Sequence, residues 1–180
     1  MGRLVLALLL VLGAGGNAGA APSATATQLV DQRGDRFTFA QLRGRPVVVT
    51  FISSRCTDTC PISNGVFAAI ARDLVQRRLG ARLVTITLDP NYDTPFVMAR
   101  FARAFDAAPD RWRFASGRPA DVVRVMHAFG VTAKVDARGE PSVHSSFVYV
   151  VDSTGRLTRT FLLSTQTESQ VVNSLASVSR

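Results

Sequence analysis

Apolar and polar positions along the chain follow two periods, and they alternate. Residues 46–52 (Pro-Val-Val-Val-Thr-Phe-Ile) are β-branched and nearly uninterrupted, the pattern of a strand buried on both faces. Residues 81–88 and 146–151 repeat that pattern. Residues 111–115 alternate polar and apolar and predict a short strand; 157–163 predict another, entered through the turn Asp152-Ser153-Thr154-Gly155. Between the strands the spacing becomes helical. Pro61 opens a helix carried by Ile62, Val66, Ile70, Leu74 and Val75, with Gly80 as its stop. Asp93-Thr94-Pro95 caps a second, carried by Val97, Met98, Phe101, Ala102 and Phe105 and stopped by residues 107–110. Residues 119–129 predict a third, closed by Gly130, and 167–178 a last one. Near the start, residues 29–39 read as a hairpin around Gln32-Arg33-Gly34-Asp35, with glycine where a positive φ is required. Residues 131–143 are polar and turn-rich, a loop with a small hairpin around Arg138-Gly139. This order predicts an α/β fold: a central mixed sheet flanked by helices, with an N-terminal β-hairpin extension. Sites in such sheets gather at the carboxyl ends of the parallel strands. Residues 53–60 and Asp89 both leave strands at that edge.

The first residues change the picture of the compartment. A basic start at Arg3, an apolar stretch from Leu4 to Leu12 and Ala18-Gly19-Ala20 have the pattern of a secretory signal. The apolar core is about nine residues, where a membrane-spanning helix needs ~20, so a cleaved signal is favoured over an uncleaved anchor. The expected division is a signal at 1–20, a flexible leader at 21–27 and a single domain at 28–180. Export places the domain in an oxidising compartment such as a periplasm. The net charge of +8 falls to +7 without Arg3. Lys134 is the only lysine, and the arginines are scattered rather than gathered into a stripe, which argues against nucleic acid as a partner. Docking on an acidic protein, or proximity to an anionic membrane, fits the charge better.

The chemistry concentrates in Ser53-Ser54-Arg55-Cys56-Thr57-Asp58-Thr59-Cys60-Pro61, which holds both cysteines of the chain. A strand-to-helix turn exposes them to the positive end of the helix dipole, which favours thiolate, the form that is both nucleophile and metal ligand. Three plainer readings compete. A structural disulfide closing a loop of about five residues gains only ~2 kcal/mol, against ~3 for about fifteen. Inert buried thiols fit poorly with the polar flanks. A structural zinc wants four ligands, and two cysteines with two histidines are all the chain offers. His144 immediately precedes the strand at 146–151, whereas His127 lies inside a helix without a companion feature. If the strand after His144 pairs beside the one at 46–52, its ring lies near the cysteine loop. Two thiolates and an imidazole then form a soft set able to hold Cu(I) or Cu(II).

Cys56-x-x-x-Cys60-Pro61, Leu88-Asp89-Pro90-x-Tyr92-Asp93-Thr94-Pro95 and His144-Ser145-Ser146 followed by Tyr149-x-x-Asp152 together resemble the Sco/SenC family. The resemblance covers residues 29–180. It implies a thioredoxin-like fold and a copper chaperone that helps assemble the binuclear copper centre of cytochrome c oxidase. It further implies Cys56, Cys60 and His144 as copper ligands, with Asp89 and Asp93 in an acidic motif beside them. Turn formation and helix capping explain the two aspartates equally well. Ser53-Ser54-Arg55 and Thr57-Asp58-Thr59 depart from the family's usual aromatic-Thr pair and proline around the first cysteine, which leaves another periplasmic copper acceptor open. A thiol-disulfide oxidoreductase using Cys56 and Cys60 as redox-active residues is the alternative, although Pro141 is displaced from the position where thioredoxins carry proline. A peroxidase of the peroxiredoxin kind fits only superficially, through Thr57-x-x-Cys60, because Ser53 stands where its proline belongs.

Overall fold

The computed structural model describes residues 25–56, 59–137, 140–144 and 146–178, with backbone only at Thr59, 142–144 and Val178. The expected signal at 1–20 lies outside these residues, as does the leader up to residue 24; Thr27, within the expected leader, is buried. Thr57, Asp58 and the Arg138-Gly139 turn are also outside.

Strand β3 (Val47–Ile52) is the axis of the sheet. It runs parallel to β4 (Arg82–Thr87), which runs parallel to β5 (Trp112–Ser116). On its other side β3 pairs antiparallel with β8 (Phe147–Val151), and β8 with β9 (Leu157–Leu162). The early strands β1 (Leu29–Asp31) and β2 (Arg36–Phe37) pair antiparallel with each other, and β1 joins β5, so the sheet reads β2-β1-β5-β4-β3-β8-β9. Gly34, at φ +87°, supplies the left-handed residue of the β1–β2 turn. A separate antiparallel pair, β6 (Ala133–Val135) and β7 (Pro141–His144), forms a small second sheet.

Alternation along β3 sends its side chains into two cores. Val48 and Ile52 face α1 (Thr59–Gln76), α2 (Pro95–Arg103) and α4 (Thr167–Val178), with Phe67, Ile70, Met98, Trp112 and Leu175. Val47, Val49 and Phe51 face α3 (Pro119–Ala128) and the hairpin, with Phe39, Val125, Phe129 and Tyr149. Phe129 and Phe51 stand 5.2 and 5.9 Å from the Tyr149 ring, and burial pushes that phenol up to about 12. The two helix-bearing cores on opposite faces of one mixed sheet give the α/β layering expected from the alternation of periods.

Three helices end alike, and only one of them on glycine. After α1, Leu79 N–H donates to Leu74 O at 2.9 Å and Arg78 N–H to Val75 O at 3.2 Å, with Arg78 left-handed at φ 54°. Gly80 therefore lies beyond the stop that its sequence position suggests. α2 ends the same way on Asp106 (φ 51°), before the stop expected at 107–110, and α3 on Gly130 (φ 68°) as expected.

Candidate functional site

The loop after β3 is tied down residue by residue. Cys56 N–H donates to Ser53 O at 3.1 Å, turning the chain, and Ser53 N–H points at Cys60 Sγ at 3.4 Å. Ser54 donates twice to Asp93: its N–H reaches Oδ2 at 3.2 Å and its hydroxyl reaches Oδ1. Thr87, the last residue of β4, adds its hydroxyl to Asp93 Oδ2 at 2.6 Å. Asp93 is fully buried. Burial drives its carboxyl above the ordinary carboxylate range, against the opposing pull of the hydrogen bonds from Ser54 and Thr87.

Asp93 therefore does not cap α2. That role falls to Thr94, whose hydroxyl accepts from Val97 N–H at 3.4 Å with Pro95 following. Asp93 instead fastens the loop after β4 to the loop after β3. Asp89 makes the turn through its carbonyl, which accepts from Asp93 N–H at 2.8 Å, and turns its side chain to Arg55.

Arg55 is the residue that sequence reasoning missed. Its Nε donates to Asp89 Oδ2 at 2.9 Å, and Nη2 reaches the same oxygen. Nη1 donates to Glu140 Oε1 at 2.8 Å, and the guanidinium carbon lies 4.6 Å from the centroid of the Tyr92 ring. Its partners stand 34 and 85 residues away in sequence, so no local pattern announces them. The only signal is one charged side chain beside Cys56 in a run of small hydroxyl residues.

Helix α1 holds Cys60 in its first turn, one step inside the helix rather than in the preceding turn. Asn64, fully buried, donates to Cys60 O at 2.9 Å. Thr85 links Asn64 (3.4 Å) to the Trp112 indole, which donates to it at 2.9 Å. Cys60 is fully buried and Cys56 half-buried, both as thiols. Thiols offer soft donors for a d10 cation or the two ends of a redox dithiol.

His144 closes β7, its backbone opposite Ala133. After it, β8 enters the main sheet antiparallel to β3, with Val148 opposite Thr50, and Thr50 Oγ1 donates to Phe147 O at 3.2 Å. The strand that follows His144 thus pairs beside the one that leads to Cys56, as the expectation for His144 required of the backbone. The His144 imidazole lies outside the described side chains. Among those that are described, no three of His, Cys, Asp and Glu gather as a metal cage. His127 is exposed on α3.

The family model described as SCO1/SenC matches residues 16–180. An SCO2-like protein of Rickettsia prowazekii is 30% identical over 141 residues, spanning 76% of this chain and 67% of that one. The copper-bound structure of Bradyrhizobium japonicum ScoI superposes with a TM-score of 0.72 at 28% identity, covering 84% of this chain and 96% of the other. BsSco, a member of the Sco family of cytochrome c oxidase assembly proteins in which a disulfide switch was identified, superposes with a TM-score of 0.75 at 20% identity over 84% and 90% of the two chains. The fold is the thioredoxin-like fold of these proteins.

Proposed function

Because this chain belongs to the SCO1/SenC family, we propose that it is an exported copper-binding protein that delivers copper to, or prepares, the binuclear copper site of cytochrome c oxidase. The observation that carries this reading is the convergence at one sheet edge of the Cys56 loop, the first turn of α1 and the chain passing from His144 into β8. Copper is bound in the ScoI structure to which the chain is similar. The donor chemistry suits that cargo, since thiolates select Cu(I) strongly and an added imidazole also accommodates Cu(II). Cys56, Cys60 and His144 are the ligands in this reading. Asp93 and Asp89 act one step back, by fixing the loop that carries Cys56.

The periplasm is the compartment of this reading, with the signal at 1–20 removed. Among the described residues no helix is long and apolar enough to cross a membrane. The acceptor is the copper-bearing subunit of the oxidase or another periplasmic copper protein, approached with the help of the chain's positive charge.

A second reading, thiol-disulfide exchange with a copper-receiving partner, is favoured by the unequal burial of the cysteines. In it a partner disulfide is reduced to two thiols as Cys56 and Cys60 join, each losing a proton and the pair giving up two electrons. One experiment separates the readings. Reduced protein is titrated with Cu(I) against a chelator and with Cu(II) under visible absorption. Cys56→Ser, Cys60→Ser and His144→Ala should each weaken binding at least tenfold, and the cysteine variants should lose thiolate-to-copper charge-transfer bands. Binding unchanged in all three, together with rapid exchange with a disulfide, would replace the first reading by the second.

A further inference from the structure

The site has a component that the copper reading leaves unassigned. Arg55 stands between Ser54 and Cys56, and its guanidinium spends its donors on two segments distant from it and from each other. Nε and Nη2 hold Asp89, on the turn after β4; Nη1 holds Glu140, immediately before β7. Asp89 and Arg55 are 7% and 23% exposed at their side chains and Glu140 is 28%, so the network is shielded from solvent far more than an ordinary surface pair. Tyr92 covers the guanidinium face.

Glu140 is itself fixed within its hairpin. Asp136 N–H donates to Glu140 O at 2.8 Å, and Glu140 N–H donates to Asp136 Oδ1 at 3.0 Å. A force on the Glu140 carboxylate is therefore passed to the β6–β7 pair, and β7 ends on His144. Beyond the ladder of β3 and β8, Arg55–Glu140 is a direct tie between the loop of Cys56 and the hairpin of His144.

We propose that Arg55 is a positioning residue, a clasp that sets the spacing between the cysteine loop and the His144 hairpin through Glu140, with Asp89 and Tyr92 holding the guanidinium in place. This rests on the copper reading for what the spacing is for, though the clasp itself is a property of the metal-free protein. Arginine suits the task because its planar fork serves two carboxylates in fixed directions, which a lysine ammonium does not.

The test uses Arg55→Gln and Glu140→Gln in the full mature chain, with thermal unfolding to confirm folding; Glu140→Gln, at the more exposed end, serves if Arg55→Gln fails to fold. In the metal-free protein, amides of residues 133–135 and 142–144 should exchange about tenfold faster in both variants, while β3 and β4 stay protected. Each variant should weaken Cu(I) binding by about 10-fold or more, the size usual for residues that orient a ligand. The double variant should be no weaker than the worse single one. In a His144→Ala background the effect of Arg55→Gln should vanish. A charge effect on the thiols would persist there, and its persistence overturns the clasp, as does unchanged exchange with unchanged affinity. If wild-type binding proves indifferent to His144, its role as a ligand fails, and hydrogen exchange alone decides the clasp: faster exchange in both variants upholds it, and unchanged exchange removes it.

Discussion

At the scale of single residues, Asp93 shows how a local motif misleads. In sequence, Asp93-Thr94-Pro95 is a helix start, and either of its first two residues has the chemistry of a cap. The structure gives the cap to Thr94 and sends Asp93 inward to Ser54 and Thr87. No pattern within a few residues distinguishes these outcomes, because the partner Ser54 lies 39 positions earlier. Asp93→Ala strands buried donors on both loops, and a loss of about 1–3 kcal/mol is expected in urea unfolding. The pH dependence has a definite sign. Burial holds the Asp93 carboxyl above its ordinary range, so the native state keeps this proton where the unfolded chain has lost it. Its contribution is present below the ordinary carboxylate pKa and fades as pH rises through the raised one. Asp121 on α3 is lowered, chiefly by its hydrogen bond from Arg118, and contributes the opposite slope: present above the ordinary pKa and lost as pH falls. An Asp93→Asn variant should lack only the first of these slopes.

At the scale of elements, the sequence was most readable where periodicity is strong. The apolar runs of β3, β4 and β8 and the helical spacing of α1 and α2 each have one physical reading, since the side chains must enter two cores on either side of a sheet. The β6–β7 pair was legible only as turn-rich chain with a hairpin, because its strands are short and β6 is largely exposed. Helix ends were harder. A glycine at the left-handed position is visible at Gly130, yet Arg78 and Asp106 perform the same turn. Those two carry the Cβ penalty of about 1–2 kcal/mol that glycine avoids, against the roughly 0.5–1 kcal/mol glycine costs in chain entropy. Arg78→Gly should therefore stabilise the protein by up to about 1 kcal/mol, read as a higher denaturation midpoint at unchanged slope.

At the scale of the whole molecule, the two cores share one sheet, and every strand of β3 to β5 contributes to both. Phe67 is buried from α1 into one core and Phe51 from β3 into the other, on opposite faces of the sheet. Phe67→Ala and Phe51→Ala should each cost about 3–5 kcal/mol. Both should shift one common transition, followed by far-ultraviolet dichroism and by the fluorescence of Trp112, which sits on the Phe67 side alone. Two separate transitions would mean that the faces fold independently. The sequence placed the two cysteines of the candidate site at the sheet edge where the structure has them; what was not legible is the long-range meeting of Arg55 with Asp89 and Glu140, which only the closed topology creates. Cys56 is half-buried and Cys60 fully buried in the first turn of α1, so the two thiols differ in their access to solvent. In the proposed function, a cation or a partner sulfur approaching from solvent would meet Cys56 before Cys60, an order that an equally exposed pair would lack.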